Sequence, residues 1–399
     1  MDLTPTAEQE SLRAACRSWL HEHLPWEYGV GLPPLFEDLS EEVDFGRQWQ
    51  AMLAEGGFVG VTWPEQFGGR GAGPLEHYVV QEELARAHAP ELVGRIGVNL
   101  VGPTILAHGT PEQQTRWLPS ILPAAQIFCQ LFSEPDAGSD LAAVSTSARR
   151  TDGGWLLSGQ KVWTSYAQFA DWGLCLARSD PEAPKRRGIS AFIVDMHADG
   201  VDVRPLRQLT DESDFNEVFL DEVFVADDQL IGEEHRGWAV AGSTLGVERG
   251  TNPRQLVIHA QLVEELVRMA ETDGMLDDPR LGPRLVQALV EVRLFQLQNW
   301  RSLSKLAHGR DQGAEAATAK LYWSEMSQRL HATALQVLGD RAPLWRGADG
   351  NPGNGRWQRS WLYYRAASIF AGTNEIQRTI IGERTLGLPR EPRPEESTA

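Results

Sequence analysis

The chain has 399 residues, of which 42% are hydrophobic and 23% are charged, and its formal net charge is −18. This length predicts roughly two or three domain-sized units, and no apolar run approaches the roughly 20 residues that span a bilayer, which excludes a membrane protein. The negative charge would repel polyanions, so a nucleic-acid partner is disfavoured.

The first residues and the cysteines indicate the cellular compartment. The segment MDLTPTAEQE lacks the basic and apolar stretches of a secretory signal. Cys16, Cys129 and Cys175 are the only cysteines. We therefore expect a reducing, cytoplasmic location.

The N-terminal third of the chain predicts helices. Thr6 with Gln9 and Thr110 with Gln113 have the spacing of capping boxes at two helix starts. An apolar stripe between them consists of Phe45, Trp49, Met52 and Leu53. We expect residues 1–124 to form an all-helical domain.

From residue 126 the pattern changes to short segments rich in β-branched and aromatic residues. These segments are QIFCQLF, GWLLSG, KVWTS, WGLCLAR, ISAFIVD, VDVRPL and NEVFL. Turn residues such as those at 151–154 separate them. The pattern predicts an antiparallel, β-barrel-like domain over residues 125–232.

Helical spacing returns in the C-terminal part. Leu285, Leu289, Val292, Phe295 and Gln296 follow the 3.6-residue period. We expect a four-helix bundle over 233–386, interrupted by a loop at 339–355, and a disordered tail over 387–399. The fold class is therefore α+β, with helices, antiparallel strands and helices in succession.

Two segments of the β region suit a planar or anionic ligand. LFSEPDAGSD, 131–140, runs into a turn whose amides and hydroxyls can hold a ring edge or a phosphate. In GQKVWTSYA, 159–167, Trp163 can lie against a planar ligand and Ser165 can hydrogen-bond it. On chain physics alone, an ordinary turn and a core tryptophan are the commoner explanations.

Two further segments lie in the C-terminal part. IFAGTNEIQR, 369–378, places Gly372 and Thr373 before a helical segment, where free amides suit an anion or a carbonyl oxygen. GVERG, 246–250, places Glu248 beside Arg249 in an otherwise apolar helix. Taken alone, the first is a helix cap and the second an ordinary ion pair.

The four segments, in this order and within this layout, resemble the acyl-CoA dehydrogenase family over nearly the whole chain. The resemblance implies an oxidoreductase of lipid metabolism and fatty acid β-oxidation, a flavoprotein that oxidises an acyl-CoA thioester to the trans-2-enoyl product. It further implies FAD between the β domain and the C-terminal helices, a homodimer or homotetramer, and an acceptor like the electron-transfer flavoprotein.

The resemblance also assigns site residues. It implies FAD contacts for Phe132, Ser133, Gly138, Ser139, Trp163, Ser165, Gln336, Gly339, Thr373 and Glu375. It implies acyl-CoA contacts for Ser139, Arg249 and Gly372, with Arg249 near the CoA end, where it would offset the negative field. It implies no metal.

The position of the catalytic base is the main question. Abstraction of the α proton needs a base, and the enolate oxygen needs hydrogen-bond donors. Many family members carry the base as a glutamate directly before Gly-Thr, where this chain has Ala371. A subset that includes isovaleryl-CoA and long-chain dehydrogenases carries it on the facing helix, at the place of Glu248.

Glu248 is therefore the expected base, with hydride passing from the β carbon to flavin N5. The backbone N–H of Ala371 would still donate to the thioester oxygen, because that role needs no side chain. The small side chain of Ala371 also suggests a branched, long or polycyclic acyl group.

Some features depart from the family pattern. Asp340 stands where the family has the second glycine of a Gly-Gly turn, and TDGMLDDPR, 272–280, replaces an Arg-Lys-x-Phe-Gly segment that grips pyrophosphate. With Ala371, these departures favour one alternative, a partially competent subunit of a heteromeric dehydrogenase. The other alternative is an oxygen-using flavin oxidase or monooxygenase on the same fold.

Other classes are disfavoured. The chain has no Gly-x-Ser-x-Gly elbow and no phosphate-binding Gly-x-x-x-x-Gly-Lys-Ser/Thr loop, and GGRGAG, 68–73, lies between predicted helices. His21 and His23 have no cysteine or acidic partners at metal spacing, so a solvated surface is favoured there.

Overall fold

The computed structural model describes residues 4–25, 36, 38–248, 253–310 and 313–390, and for residues 246–248 only the backbone. The chain divides into two compact units, one that ends at Glu248 and one that begins at Arg249. The predicted disordered tail lies outside the described residues except for 387–390.

The first unit begins with helices. They are α1 (Ala7–His23), α2 (Leu39–Glu55), α3 (Pro74–Arg86), α4 (Gly102–His108) and α5 (Pro111–Ile121). Both predicted capping boxes are present, at Thr6 with Gln9 and at Thr110 with Gln113. Trp49 and Trp117 are buried in the core that these helices share with the strands. The N-terminal helices were thus predictable from their start signals and apolar stripes.

Strands follow the helices in the same unit. They are β1 (Phe128–Leu131), β2 (Ser147–Thr151), β3 (Gly154–Ser165), β4 (Trp172–Arg178), β5 (Ile189–Asp195), β6 (Val201–Leu206), β7 (Phe215–Ala226) and β8 (Leu230–Ile231). The order in the sheet is β6-β7-β3-β2-β4-β5-β8, and β1 pairs with β4. This hydrogen-bonded order has two ends, at β6 and β8.

Most neighbouring strands are antiparallel, as predicted, but β1 and β2 each run parallel to β4. GWLLSG and KVWTS form one continuous strand, β3, because the central Gly159 pairs across to Leu220 rather than making a turn. The polar strand β2 was not predicted. Of its five residues only Ala148 is buried, so its sequence carries no apolar alternation.

Helix α6 (Gly237–Glu248) closes the first unit. Hydroxyl contacts hold it in place: Thr244 Oγ1 lies 2.8 Å from Thr104 Oγ1 of α4, and Ser243 Oγ lies 2.8 Å from His108 Nε2. Val240 on the same helix is buried in the core. The helix whose last residue is Glu248 is therefore anchored along its middle turns.

The second unit is helical. Its helices are α7 (Pro253–Thr272), α8 (Gly282–Ala307), α9 (Glu315–Leu338), α10 (Arg356–Tyr363) and α11 (Asn374–Ile380). The three long helices pack on one another, and the two short ones pack on α9. The segment 339–355 is a loop, as predicted, with left-handed backbone at Gly353, Asn354 and Gly355.

The apolar period of α8 is not buried at every position. Leu285, Val292 and Phe295 are buried as expected, but Leu289 is 50% exposed. Ala288 takes the buried place one residue earlier. The periodicity was correct, but the small alanine gave a weaker signal than the leucine beside it.

Within the described ranges, no helix combines the length and apolarity needed to cross a membrane. The same residues contain no cluster of three or more His, Cys, Asp or Glu side chains able to hold a metal ion.

Two histidines are buried inside the second unit. His259 Nε2 lies 2.8 Å from Ser327 Oγ, and His331 Nδ1 donates to Ser327 O at 2.7 Å while its ring stacks on Tyr364. Burial lowers the pKa of His259 to about 4 and that of His331 to about 3. Both rings are therefore neutral in the folded protein at physiological pH.

These pKa values predict acid lability. Because the folded state lowers both values below the ordinary 6.5, the unfolded chain binds more protons, and stability is lost as pH falls from about 6.5 towards 4. At pH 5 the lowered pKa of each histidine should reduce the free energy of unfolding by about 2 kcal/mol relative to pH 7.5. Thermal unfolding at both pH values checks this. His331→Phe, which keeps the stacking but binds no proton, should lose less stability on acidification, and an equal loss would contradict the assignment.

Candidate functional site

The 132–140 turn leaves the end of β1 and is closed by its own backbone. Glu134 N–H donates to Ala137 O at 3.2 Å, and Ala137 N–H donates back to Glu134 O at 3.1 Å. Gly138 and Ser139 beyond them are exposed. A Cβ built at Gly138 would meet no atom within 4 Å, so the space beside this backbone is open. The turn therefore offers an accessible backbone edge to a ligand.

A buried ion pair lies beneath the turn. The Lys161 side chain is 0% exposed, and its Nζ donates to Glu134 Oε1 at 2.8 Å, to Leu176 O at 2.7 Å and to Phe132 O at 3.3 Å. Glu134 also accepts hydrogen bonds from the backbone N–H groups of Ser145 at 2.7 Å and Thr146 at 3.0 Å. Every charge on this pair is thus met by a partner.

The electrostatics of Glu134 follow from these contacts. Burial alone would raise its pKa, but the Lys161 ammonium and the hydrogen bonds outweigh burial and lower the pKa of this carboxyl to about 2. The carboxylate therefore stays ionised at physiological pH. It serves as a fixed anchor rather than as a proton carrier.

Strand β3 bulges directly after Lys161. The pairing with β7 shifts register between Lys161 and Thr164, and Trp163 takes a left-handed φ of +59°. Such a conformation costs on the order of 1–3 kcal/mol in a non-glycine residue and needs support from its surroundings. Asn216 supplies part of that support by donating to Thr164 O at 3.1 Å. We call residues 161–165 the β3 bulge.

The β3 bulge turns Trp163 outwards. Its side chain is 62% exposed, and its ring meets Phe215 edge-on at 6.3 Å, so a ring face remains available. Val162 N–H donates to Ser133 O at 3.0 Å, which joins the β3 bulge to the 132–140 turn. The structure thus brings Ser133, Trp163 and Ser165 to one part of the β domain.

These residues fit a flavin ring. The group needs a planar apolar face and donors along its polar edge, and an exposed tryptophan beside open amides and a hydroxyl provides both. Phe132 differs from the other predicted contacts because its side chain is only 4% exposed. A contact from Phe132 would therefore come from its backbone.

The 371–373 turn of the second unit is strained and pinned. Ala371 has a φ of +52° and Gly372 a φ of +85°. The buried Gln377 donates from Nε2 to Ala371 O at 3.0 Å and to Gly372 O at 3.2 Å. Among the described residues, the N–H groups of Ala371 and Gly372 have no acceptor. Gln377 therefore fixes the direction of the Gly372 N–H, which shares a peptide plane with Ala371 O, and the Ala371 N–H is a second donor on the preceding peptide.

Helix α11 anchors this turn to α9. Thr373 caps the helix by accepting from Ile376 N–H at 3.2 Å. The buried Asn374 accepts from Lys320 Nζ at 3.1 Å and from Ser324 Oγ at 2.9 Å. Glu375, in contrast, has a side chain that is 79% exposed. The predicted residues Gly372 and Thr373 thus belong to a rigid turn, whereas Glu375 points to the surface.

Gln336 and Gly339 lie near the C-terminal end of α9, and both are exposed. Asp340 beside them is exposed as well, and Arg341 forms an ion pair with Asp273 of the 272–280 segment. The two places where the sequence departs from the family pattern are therefore neighbours in the fold. The surface near the end of α9 therefore carries the carboxylates of Asp340 and Asp273.

Part of the predicted site lies outside the described residues. Helix α6 ends at Glu248, but the side chain of this residue is not described, and Arg249 is outside the described ranges altogether. The roles of both residues therefore remain predictions.

The sequence analysis did not single out the Lys161–Glu134 pair or Gln377. Each carried a signal, since a lysine in the middle of strand β3 and a glutamine on the inner side of α11 both mark buried polar groups that need partners.

Comparison with known proteins covers nearly the whole chain. The family models for the acyl-CoA dehydrogenase N-terminal, middle and C-terminal domains match residues 6–124, 129–223 and 235–386. The acyl-CoA dehydrogenase IpdE1 of Mycobacterium tuberculosis is 38% identical over 96% of this chain and 98% of its own length. FadE34 of the same organism is 43% identical over 86% of this chain, which corresponds to 46% of that longer protein.

Solved structures also match nearly the whole chain. The Tcur3481-Tcur3483 steroid ACAD superposes with a TM-score of 0.84 at 28% identity, covering 98% of this chain and 100% of the other. The ChsE4-ChsE5 complex from Mycobacterium tuberculosis gives a TM-score of 0.83 at 30% identity, with the same coverage of both chains.

The exposed ring of Trp163 leads to a prediction. Trp163→Ala should raise the dissociation constant for FAD about tenfold, because the lost stacking is worth about 1 kcal/mol or more. Titration of the apoprotein with FAD measures this constant. Stability should change little, because the side chain is already mostly exposed. Phe224→Ala, at another exposed aromatic of the β domain, is the control and should leave FAD binding unchanged.

Proposed function

The chain belongs to the acyl-CoA dehydrogenase family, and we propose that it oxidises a branched, long or polycyclic acyl-CoA thioester to its trans-2-enoyl product, with Glu248 as the base. As a member of this family it is an FAD-dependent oxidoreductase. One observation carries the mechanistic proposal: alanine occupies position 371 in the strained 371–373 turn, while a glutamate ends helix α6.

The 371–373 turn supports the first part of the mechanism. Gln377 holds the carbonyls of Ala371 and Gly372, so the peptide planes that carry the N–H groups of Gly372 and Thr373 are fixed, and the Ala371 N–H lies on the peptide directly before them. Donors fixed in advance stabilise a developing negative charge without reorganising during the reaction. We assign the Ala371 N–H to the thioester oxygen, where the enolate charge develops when the α proton leaves.

The second part concerns the base. The anchoring of α6 at Thr244 and Ser243 sets the position of its last turn, and so supports a fixed place for Glu248. In this proposal Glu248 removes the α proton, and Arg249 binds near the CoA end. FAD, held by the Ser133 peptide and the Trp163 ring, would supply the acceptor for the hydride of the β carbon.

The acyl group follows from Ala371 and from the relatives. A methyl side chain at this position leaves room that a glutamate would fill. The Tcur3481-Tcur3483 protein, similar over its whole length, is described as a steroid ACAD. These two observations support a bulky acyl group over a straight medium-length chain.

The proposal is tested by mixing the purified protein anaerobically with a panel of acyl-CoA esters and following the flavin absorbance. We expect bulky esters to bleach the flavin faster than straight medium-chain esters. Glu248→Gln should abolish bleaching and leave the bound FAD in place, because only the base is lost. Retained bleaching in this variant would reject Glu248 as the base.

A second variant relocates the carboxylate. In the Glu248→Gln background, Ala371→Glu places a glutamate where many family members have theirs. It should restore part of the activity, preferentially on straight-chain esters. Ala371→Gln in the same background is the matched control and should restore none.

A second candidate is a subunit of a heteromeric dehydrogenase, and the acidic surface near the end of α9 favours it. Asp340 is exposed there, and Asp273 occupies Arg341 in an ion pair. Carboxylates at this place would repel the pyrophosphate of a neighbouring subunit's FAD. Two similar structures, ChsE4-ChsE5 and Tcur3481-Tcur3483, have names that join two components.

The FAD content of the chain purified alone separates the two candidates. A heteromeric subunit should carry well under one FAD per chain, and Asp340→Gly should raise that ratio by removing a repulsive charge. Asp349→Gly, at an exposed aspartate of the 339–355 loop, is the control and should not change it. One FAD per wild-type chain, together with full bleaching, would contradict the heteromeric candidate.

A further inference from the structure

The β domain contains a buried charge pair for which the proposed chemistry has no use. Lys161 is 0% exposed and Glu134 is 5% exposed, and neither is assigned to the substrate or to proton transfer. Burying two charges costs much of what their attraction returns, and apolar replacements of similar size are often as stable or more stable. Stability alone therefore explains the pair poorly.

The position of the pair suggests another role. Glu134 belongs to the 132–140 turn, and Lys161 begins the β3 bulge, so the pair joins the two segments that carry the candidate flavin contacts. A third connection runs to Leu176 O on β4. The ammonium thus fixes both segments to the centre of the sheet.

The hydrogen bond from Lys161 Nζ to the carbonyl oxygen of Phe132 has the most direct effect on a candidate flavin contact. This carbonyl belongs to the same peptide unit as the N–H of Ser133, so an ammonium 3.3 Å from the oxygen restrains the plane of that peptide and the direction of its N–H. It also polarises the peptide, which strengthens the N–H as a donor. In the β3 bulge, Lys161 lies two residues before the strained Trp163.

We propose that Lys161 and Glu134 are positioning residues for the cofactor, because they set the Ser133 peptide and the Trp163 ring relative to each other. This inference rests on the proposed use of both segments as flavin contacts. Neither side chain touches the cofactor. Their effect is to keep a hydrogen-bond donor and a stacking face in one fixed arrangement.

Three variants test the proposal. Lys161→Met and Glu134→Gln each leave one buried charge without its partner, so both should unfold at lower temperature. The double variant Glu134→Gln/Lys161→Met contains no unpaired charge, and its apoprotein should recover much of the lost thermal stability. A purely structural pair would then recover FAD binding as well.

We expect the double variant not to recover FAD binding. Its dissociation constant for FAD should stay about tenfold or more above that of the wild type, since a loosened supporting contact misplaces the groups that it holds. The visible circular dichroism and the midpoint potential of the bound flavin should also shift. A double variant with wild-type values for all three would overturn the proposal.

A milder variant covers the case in which the double variant does not fold. Ser145→Ala removes one hydrogen bond, of 2.8 Å, from the Glu134 carboxylate and leaves the ion pair in place. The flavin dichroism should change in this variant without a large loss of stability, and an unchanged dichroism would count against the proposal. The control is Arg149→Met/Glu222→Gln, which removes an exposed ion pair of the same domain. It should change neither the flavin dichroism nor the thermal stability.

The outcomes separate this inference from the proposed function. Bleaching of the wild-type flavin by acyl-CoA reports on the proposed function alone. A wild-type protein that is bleached, with a double variant that binds FAD normally, overturns only the positioning role. A wild-type protein that takes up no FAD would overturn both.

Discussion

The contact between Lys161 and Glu134 is the constraint on which the arrangement of the β domain depends. It joins a turn, a bulged strand and a central strand at one buried point. The N–H groups of Ser145 and Thr146 and the hydroxyl of Ser145 also donate to the carboxylate. A network of this kind specifies one geometry, because any displacement leaves a charge unpaired in the interior.

Each unit also stores backbone strain at a residue with a Cβ. In the first unit Trp163 lies at φ +59°, and in the second Ala371 lies at φ +52°. In both cases a hydrogen bond from a buried amide side chain supports the strained backbone: Asn216 donates to Thr164 O in the first unit, and Gln377 donates to Ala371 O in the second. Strain that is supported in this way is typical of functional positions, where an unusual direction of a side chain or an N–H is needed.

Local signals in the sequence predicted much of the fold. Capping boxes gave the starts of α1 and α5, and the change from helical to alternating apolar spacing gave the β domain. Such features depend on residues close together in the chain. Strand β2 and the parallel pairing of β1 with β4 depend instead on partners far along the chain, which a single polar or short apolar segment does not reveal.

The candidate site was predictable to a different degree. Two of the motif segments lie together in the fold, since Val162 N–H donates to Ser133 O beside Trp163, and their contact with FAD stays a prediction. The motifs did not show that Phe132 is buried or that Lys161 supports them both, because burial is a property of the whole domain. They also did not show that Asp273 pairs with Arg341, which links two departures that the sequence presents as separate.

The left-handed backbone at Ala371 limits which residues evolution can place at this position. Alanine, glycine and unbranched side chains tolerate a φ of +52°, whereas valine, isoleucine and threonine clash with their own backbone there. Selection therefore cannot add bulk at this residue gradually through branched side chains. In the proposed mechanism, adaptation towards shorter acyl groups would have to use long, flexible replacements at 371 or changes at other positions.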